Sequence, residues 1–146
     1  MKEIKHLKEK DISLSTLAEV LENDSAQTEI RSQKREKYLL VTYPDGSLVI
    51  KKRTGGLDLH FAVPAKDNIP FESGCFLANK LNTKINFGCA AALVKQEDKK
   101  LLLCIVVNWS LLTKDGIITS HLISTVRAMA LAQKFLFELD TDDILI

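Results

Sequence analysis

The chain lacks an excess of charge of either sign, because 20 basic residues are balanced by 19 acidic residues among its 146. This balance argues against a global electrostatic attraction to nucleic acid or to anionic lipid. No uncharged apolar run reaches the ~18 residues that a membrane span requires, and the charged start (Lys2, Glu3, Lys5) leaves no room for the apolar centre of a signal peptide. We therefore expect a cytoplasmic protein without a membrane partner.

Cysteine is also scarce. Cys75, Cys89 and Cys104 are odd in number, lie in apolar surroundings and lack the close spacing of metal ligands. This pattern predicts three buried, reduced thiols in a reducing compartment.

The residue patterns of enzymes and cofactor sites are missing as well. His6, His60 and His121 lie far apart, and none has a His, Cys or carboxylate partner at a metal-binding spacing. Gly55-Gly56 precedes a strand pattern rather than the helix of a phosphate-binding loop, and no G-x-S-x-G nucleophile signature occurs. The sequence therefore predicts a protein that is not an enzyme and has no catalytic residue, metal or cofactor.

The spacing of apolar residues predicts an α+β fold. Alternation marks strands, and recurrence every three or four residues marks helices. The predicted elements are a helix over about 12–23, strands over 38–43, 48–52 and 57–63, a helix over about 71–82, strands over 85–94 and 101–109, and a helix over about 117–139. Thr16 and Glu19 are spaced as a capping box for the first helix. We expect an antiparallel five-stranded sheet, in the order helix, three strands, helix, two strands, helix, with the helices mainly on one face; a weak edge strand over 27–31 is an additional possibility.

The ends of the chain differ in composition from this central part. Residues 1–11 are charged and aperiodic, which predicts a flexible arm, and residues 12–139 are expected to form one domain. Residues 140–146 form an acidic and then hydrophobic tail, with three aspartates before Ile144-Leu145-Ile146. We expect a solvated tail, and the alternative is that its apolar end docks onto a neighbour.

The last two predicted strands form a long hairpin around the polar turn Gln96-Glu97-Asp98-Lys99, and it is apolar on both faces. The bulkier side chains of its first strand, including Phe87 and Leu93, are expected to face the helices. The smaller ones are expected to form a flat surface for a partner or a second copy, continued by the second strand. The predicted surface consists of Ala90, Ala92, Val94, Leu102, Cys104 and Val106.

Such a surface needs a cover. Leaving Val94, Leu102 and Val106 in water forgoes ~1.5–3 kcal/mol for each side chain that could be fully buried. Three covers remain open: a second copy of the chain, a client protein, or the N-terminal elements of the chain itself.

The order of elements, together with the segment 76–82 (FLANKLN) just before the hairpin, resembles the YbjN family and the related class I type III secretion chaperone-like fold. The pair Asn79 and Asn82 is the closest match, and the resemblance covers residues 12–139. It implies a domain that dimerises and binds another protein, without cofactor or turnover. Secretion chaperones of this class are usually clearly acidic, whereas this chain has a net charge of +1. The resemblance therefore favours a general YbjN-like adaptor over a role in secretion.

Together these observations predict a homodimeric, non-enzymatic adaptor or chaperone-like regulator that binds a segment of a client or regulatory protein through an apolar sheet face. The alternative is a nucleic-acid-binding regulator that uses Lys51, Lys52 and Arg53, with the group around Lys34 nearby. The nearly neutral charge of the chain disfavours nucleic acid as the partner.

Overall fold

The computed structural model describes residues 6–146, and within them the α+β class is confirmed. The helices are α1 (Leu14–Asn23), α2 (Phe71–Lys84) and α3 (Thr119–Leu139). The strands are β1 (His6–Leu7), β2 (Gln27–Gln33), β3 (Glu36–Tyr43), β4 (Gly46–Arg53), β5 (Gly56–Pro64), β6 (Cys89–Glu97), β7 (Lys100–Leu112) and β8 (Ile117–Ile118). No helix in this part of the chain is long and apolar enough to cross a membrane.

The main sheet has six strands in the order β2-β3-β4-β5-β7-β6, so the prediction of five strands is wrong by one. The additional strand is β2, which pairs with β3 from Gln27↔Thr42 to Gln33↔Glu36. Its sequence gives a weak signal, because Ile30 is its only bulky apolar residue. The turn into β3 uses Lys34 and Arg35 in the left-handed conformation, at φ 50° and 68°, without the glycine or asparagine that usually marks such a turn. The main-chain ladder, rather than burial, therefore holds β2 in place.

Helix α1 begins one turn earlier than its predicted capping box. Ser13 is the N-cap, and its hydroxyl accepts a hydrogen bond from the Thr16 N–H at 3.1 Å. Thr16 is thus the residue that is capped, and the predicted pairing of Thr16 with Glu19 as a capping box is wrong. Leu17 and Leu21 are fully buried, as the helical spacing predicted.

Part of the predicted flexible arm is ordered. His6 and Leu7 pair with Ile118 and Ile117 in a separate two-stranded sheet, and a 3-10 turn over Glu9–Asp11 leads to the buried Ile12. Burial of Leu7 explains the difference, because a single apolar residue in a charged segment gives no periodic signal. Residues 1–5 of the predicted arm lie outside the described residues.

The predicted solvated tail is also packed onto its own chain. Ile144 and Leu145 are buried, and Leu145 forms a bridge with Ala65. The Asp140 carboxylate accepts hydrogen bonds from the N–H groups of Ile144 and Leu145, each at 2.9 Å. These bonds satisfy backbone donors that would otherwise be buried without partners.

The contacts of the chain fall into two compact units. One comprises the residues up to 59 together with 110–131, and the other comprises 60–109 together with 132–146. Each has fully buried apolar side chains, such as Leu21 and Met129 in the first and Leu81 and Ile105 in the second. The single-domain boundary at 12–139 and the packing of the helices mainly on one sheet face stay predictions.

Candidate protein-binding surface on the β6–β7 hairpin

The register of the hairpin decides which side chains share a face. β6 and β7 pair from Cys89↔Asn108 to Glu97↔Lys100, around a two-residue turn of Asp98 and Lys99 with positive φ angles. Residues directly opposite each other lie on the same face of the sheet. A two-residue turn always sets an even-numbered residue of β6 opposite an odd-numbered residue of β7.

The predicted partner surface is therefore split between two faces. On one face of the hairpin, three residues of β6 lie opposite three residues of β7: Ala90, Ala92 and Val94 opposite Val107, Ile105 and Leu103. We call these six residues the covered face. The other three predicted residues, Leu102, Cys104 and Val106, lie on the reverse side. The prediction that all six residues share one surface is wrong, because it assumed that even-numbered residues pair with even-numbered ones.

Helix α2 packs on the covered face through a glycine. A Cβ atom at Gly74 would stand 3.0 Å from Cδ2 of Leu103 and 3.3 Å from Cβ of Ala92. Glycine on the helix and alanine on the strand therefore permit this close approach. Ala90, Leu103, Ile105 and Val107 are buried, so this side of the hairpin belongs to the core.

The reverse side of the hairpin is open along β6 but partly covered along β7, where Cys104, directly opposite Leu93, is buried. Its residues in β6 are all exposed, including Ala91 and Leu93, and the Leu93 side chain retains 46% of its accessibility. Their neighbours on β7 include the half-buried Leu102 and Val106. We call Ala91, Leu93, Leu102 and Val106 the open face. The expectation that bulky residues such as Leu93 face the helices is wrong, since α2 packs against the smaller side chains.

The three cysteines are free thiols in three environments. Cys104 is buried, Cys75 is half-buried and Cys89 is exposed. The prediction of burial is thus confirmed for Cys104 and wrong for Cys89, which lies at the start of β6 on the open side.

Asn82, near the end of α2, binds the backbone of β6. Its Nδ2 donates to the carbonyl of Ala90 at 2.9 Å, and its Oδ1 accepts from the N–H of Ala90 at 2.8 Å. Because Asn82 hydrogen-bonds both the N–H and the C=O of Ala90, these two backbone groups point away from β7. The carbonyl of Leu103 accepts a bond from the N–H of Ala65 at 2.8 Å, so the Val94↔Leu103 pair also directs its backbone groups away from the β6–β7 ladder.

These two observations fix the alternation along β6. The backbone groups of Ala91, Leu93 and Lys95 point to β7. Those of Ala92, Val94 and Gln96 point to the opposite side, where the six-stranded sheet ends in the described part of the chain. β6 is thus an edge strand, and among residues 6–146 a side chain from another element binds its outward backbone groups only at Ala90.

An aromatic pair holds the base of the hairpin. The rings of Phe87 and Trp109 stack with centroids 4.7 Å apart and planes at 26°. Between Phe87 and β6, Gly88 has φ +60°, and a Cβ there would stand 2.6 Å from the Asn108 carbonyl oxygen. Only glycine fits this close approach, so the entry into β6 is fixed.

The residues of the alternative nucleic-acid patch do not form one positive surface. Lys51, Lys52 and Arg53 are consecutive in β4, so Lys52 points to the face opposite its neighbours. Arg53 forms an ion pair with Asp58 at 2.7 Å, and Lys51 lies 3.4 Å from a Glu36 carboxylate oxygen. Two of the three cations are therefore matched by carboxylates.

A polar cluster that sequence reasoning missed joins Asp24, Tyr43 and Arg127. The guanidinium of Arg127 donates to both carboxylate oxygens of Asp24, at 2.6 and 2.9 Å, and the Tyr43 hydroxyl donates to one of them at 2.8 Å. Arg127 also lies over the Tyr43 ring, 5.5 Å from its centroid. No sequence motif links these residues, because they are far apart in the chain.

Electrostatics within this cluster favour the ion pair. Partial burial raises the pKa of the Asp24 carboxyl, but the hydrogen bonds from Arg127 and Tyr43 and the charge of Arg127 together hold that pKa below its ordinary value. Burial, and then the hydrogen bond to Asp24, raise the pKa of Tyr43 to about 12. Both carboxylate oxygens of Asp24 accept hydrogen bonds from these side chains, so the cluster connects the end of α1 to β3 and α3.

Within residues 6–146, no group of three or more His, Cys, Asp or Glu side chains is placed to share a metal ion.

No protein-family model and no curated protein matches this sequence. Among solved structures, the fold matches the crystal structure of YbjN from E. coli, which is described as a candidate transcription regulator, with a TM-score of 0.71. The match covers 96% of this chain and 98% of the other, at 16% identity. The chain has a YbjN-like fold. This confirms the YbjN part of the resemblance at the level of fold, and the secretion-chaperone part stays a prediction.

Proposed function

We propose that this chain is a non-enzymatic, chaperone-like adaptor that holds an extended apolar segment of a partner protein on the open face. The carrying observation is the exposure of Ala91 and Leu93 beside Leu102 and Val106, on a side of the hairpin where every β6 residue is exposed. Contiguous exposed apolar surface of this kind is typical of sites that bind other proteins.

The construction of the hairpin supports this proposal. Its covered face is packed by α2, and its base is held by the Phe87–Trp109 pair, so the open face is formed before a partner arrives. A preformed site lowers the ordering cost of binding.

Charge adds a preference for one kind of segment. Lys95 lies on the same side of the hairpin as the open face, directly opposite Leu102. A segment with an acidic residue next to its apolar residues would meet this ammonium group. We place this action in the cytoplasm, since the three free thiols fit a reducing compartment.

The test uses a protein that cannot fold. Fluorescently labelled α-lactalbumin, reduced and carboxymethylated, is titrated with the chain, and binding is followed by fluorescence anisotropy. Leu93→Glu should weaken binding by about tenfold or more, because the lost apolar contact is worth ~1.5–3 kcal/mol and ~1.4 kcal/mol is tenfold in affinity.

The matched control is Ile30→Glu in β2. Ile30 is 44% exposed and Leu93 is 46% exposed, so both variants place a new carboxylate at an equally accessible aliphatic position. Ile30→Glu should leave the affinity unchanged. Absence of binding by the unaltered chain, or equal losses in the two variants, would overturn the proposal.

The description of the fold neighbour as a candidate transcription regulator makes nucleic acid the competing partner. The same titration with labelled duplex DNA separates the two. Our proposal predicts no binding that depends on Lys51, Lys52 and Arg53. Salt-sensitive binding that is lost when all three residues are changed to Glu would favour the competing function.

A further inference from the structure

On the outer edge of β6, the backbone N–H and C=O groups of a short stretch of residues are open to pairing in the described part of the chain. Ala92, Val94 and Gln96 direct their N–H and C=O groups away from β7, as the bonds made by Ala90 and Leu103 show. Asn82 closes the strand edge at Ala90, and the turn of Asp98 and Lys99 closes it at the other end. Three residues are therefore available to pair with another strand.

We infer that these residues pair, antiparallel, with the same three residues of a second copy of this chain, around a two-fold axis at Val94. Ala92 of each copy then lies opposite Gln96 of the other. A strand that joins its own copy in this way makes a closed, isologous contact. The inference rests on the proposed function in one respect, because the surface it enlarges is the open face.

The residues of β6 favour this register over the two adjacent registers. A shift by one pairing step in one direction would need the backbone of Ala90, which Asn82 already occupies. A shift in the other direction would place Lys95 directly opposite the Lys95 of the second copy, and like charges directly opposite each other destabilise a strand pair. In the register centred on Val94, Lys95 lies opposite Leu93 and no like charges face each other.

Exposed apolar residues beside the axis support a second copy as the occupant. Val94 is 45% exposed and Leu101 is 75% exposed, and both lie toward the turn on the side of the hairpin that α2 packs. The paired copy would bring a second Val94 onto the first one and cover part of this surface. Because the chain carries a net charge of only +1, little overall repulsion opposes the association.

The consequence concerns the binding surface. A two-fold axis perpendicular to the sheet places the open faces of both copies on the same side. The two hairpins then form one continuous four-stranded surface, twice as wide as either open face alone. An extended partner segment could cross from one copy to the other.

The experiment is sedimentation velocity over a wide range of protein concentration. Gln96→Pro removes an N–H that points to the strand edge, so it costs no bond to β7, whereas Gln96→Ala removes the side chain and keeps the N–H. We expect dimers for the unaltered chain and for Gln96→Ala, and monomers with an unchanged circular dichroism spectrum for Gln96→Pro. A monomeric unaltered chain, or a dimeric Gln96→Pro variant, would overturn the inference and leave the edge to a strand of another protein.

Asn82→Ala tests the boundary of the pairing, with Asn79→Ala as its control on the same helix. Loss of Asn82 opens the backbone of Ala90, so we expect that variant to form dimers of mixed register, in which the Ala90 N–H becomes partly protected from hydrogen exchange on association, and we expect Asn79→Ala to keep the single register. Unchanged dimers in both variants would remove Asn82 as the element that sets the register.

The labelled-client titration keeps the two proposals apart. Weaker but measurable client binding by the monomeric Gln96→Pro variant would support both. A dimeric chain that ignores the client would overturn the proposed function alone, and a monomeric chain that binds the client would overturn the dimer alone.

Discussion

β2 and β6 are the two outer strands of the six-stranded sheet. Both are connected to the sheet by the same kind of turn, but β2 is mostly polar and charged whereas β6 is largely apolar. Each is joined to its only strand neighbour in the described sheet through a two-residue turn without glycine, at Lys34-Arg35 and at Asp98-Lys99. β2 reads QTEIRSQ, with Glu29 and Arg31 in an ion pair at 2.9 Å. β6 begins with the six apolar residues CAAALV.

The comparison teaches that exposure alone does not mark a binding surface. Ile30 and Leu93 are almost equally exposed, but Ile30 stands alone between charged residues while Leu93 continues an apolar surface. Charged residues on an edge strand discourage pairing with other chains. We therefore propose β6 as the docking edge and β2 as the protected edge.

The largest expected effect is a difference in the loss of stability between a substitution behind β6 and a substitution in β2. Ile105→Ala in β7 should lower the free energy of unfolding by ~2–5 kcal/mol, because Ile105 is fully buried against the covered side of β6. Ile30→Ala in β2 should cost less than about 1 kcal/mol, since much of that side chain is already in water. Urea unfolding of both variants measures the two values. Equal losses would show that β2 depends on burial as much as the hairpin does.

The next effect concerns the segment that leads into β2. Asp24→Asn removes the charge that binds Arg127 and Tyr43, and it should cost about 1–2 kcal/mol near neutral pH, at the lower end of the range for hydrogen bonds to charged groups because Arg127 is largely exposed.

The pH dependence of this loss follows from the lowered pKa of Asp24. The carboxylate contributes stability above its ordinary pKa of 3.8, and this contribution disappears as the pH falls through the lower value of the folded state. At the alkaline end, the raised pKa of Tyr43 predicts a further loss as the pH rises from 10 toward about 12. Thermal unfolding across the pH range checks both directions. This interpretation would be contradicted if the difference in stability between Asp24→Asn and the unaltered chain stayed the same in strong acid.

The next substitutions place a charge on β6 and remove the charges from β2. They should change stability little and association strongly. Val94→Lys gives β6 a charge beside the proposed axis, and it should abolish the dimer while changing the stability of the monomer by no more than about 0.5 kcal/mol. The converse change, Glu29→Val with Arg31→Val, should make β2 associate. Sedimentation of both variants decides the matter. If Val94→Lys stays dimeric, the chemistry of β6 is not what joins the copies.

The smallest effects lie in the two turns. Lys99→Gly and Arg35→Gly each replace a residue at φ 65° or 68° by one that accepts this conformation freely. Relief of this strain is opposed by the greater freedom of glycine in the unfolded chain, so each variant should gain at most about 1 kcal/mol. Thermal unfolding of the two single variants gives the values. A clear loss of stability in either would show that the original side chain makes a contact worth more than the strain.

Sequence reasoning found the elements whose own residues are periodic. The spacing of apolar residues predicted α2 from Phe71 and the end of α3 at Leu139, and it predicted the apolar hairpin. It gave β2 only as an additional possibility over 27–31, because the ladder with β3 holds that strand and its side chains carry no clear apolar pattern. Two-faced apolar strands contain no signal for which face a helix covers, and the small residues at Gly74 and Ala92 decided it.

The candidate site was predictable only in part. The hairpin itself was predicted as a structural element, and its role as a binding region stays a prediction. Its six predicted surface residues lie on two faces, because the register depends on the length of the turn. The role of Asn82 and the Asp24 cluster depend on contacts between side chains and distant backbone or side chains, which no local pattern encodes.

The most direct test is hydrogen exchange of the individual β6 amides in dilute and in concentrated protein. In dilute solution the amides of Val94 and Gln96 should exchange fast and those of Leu93 and Lys95 slowly, because only the latter are bonded to β7. Concentration should then protect Val94 and Gln96 and leave the other two unchanged. Fast exchange of Val94 and Gln96 at every concentration would contradict pairing at this edge, and slow exchange of both in dilute protein would contradict the open edge itself.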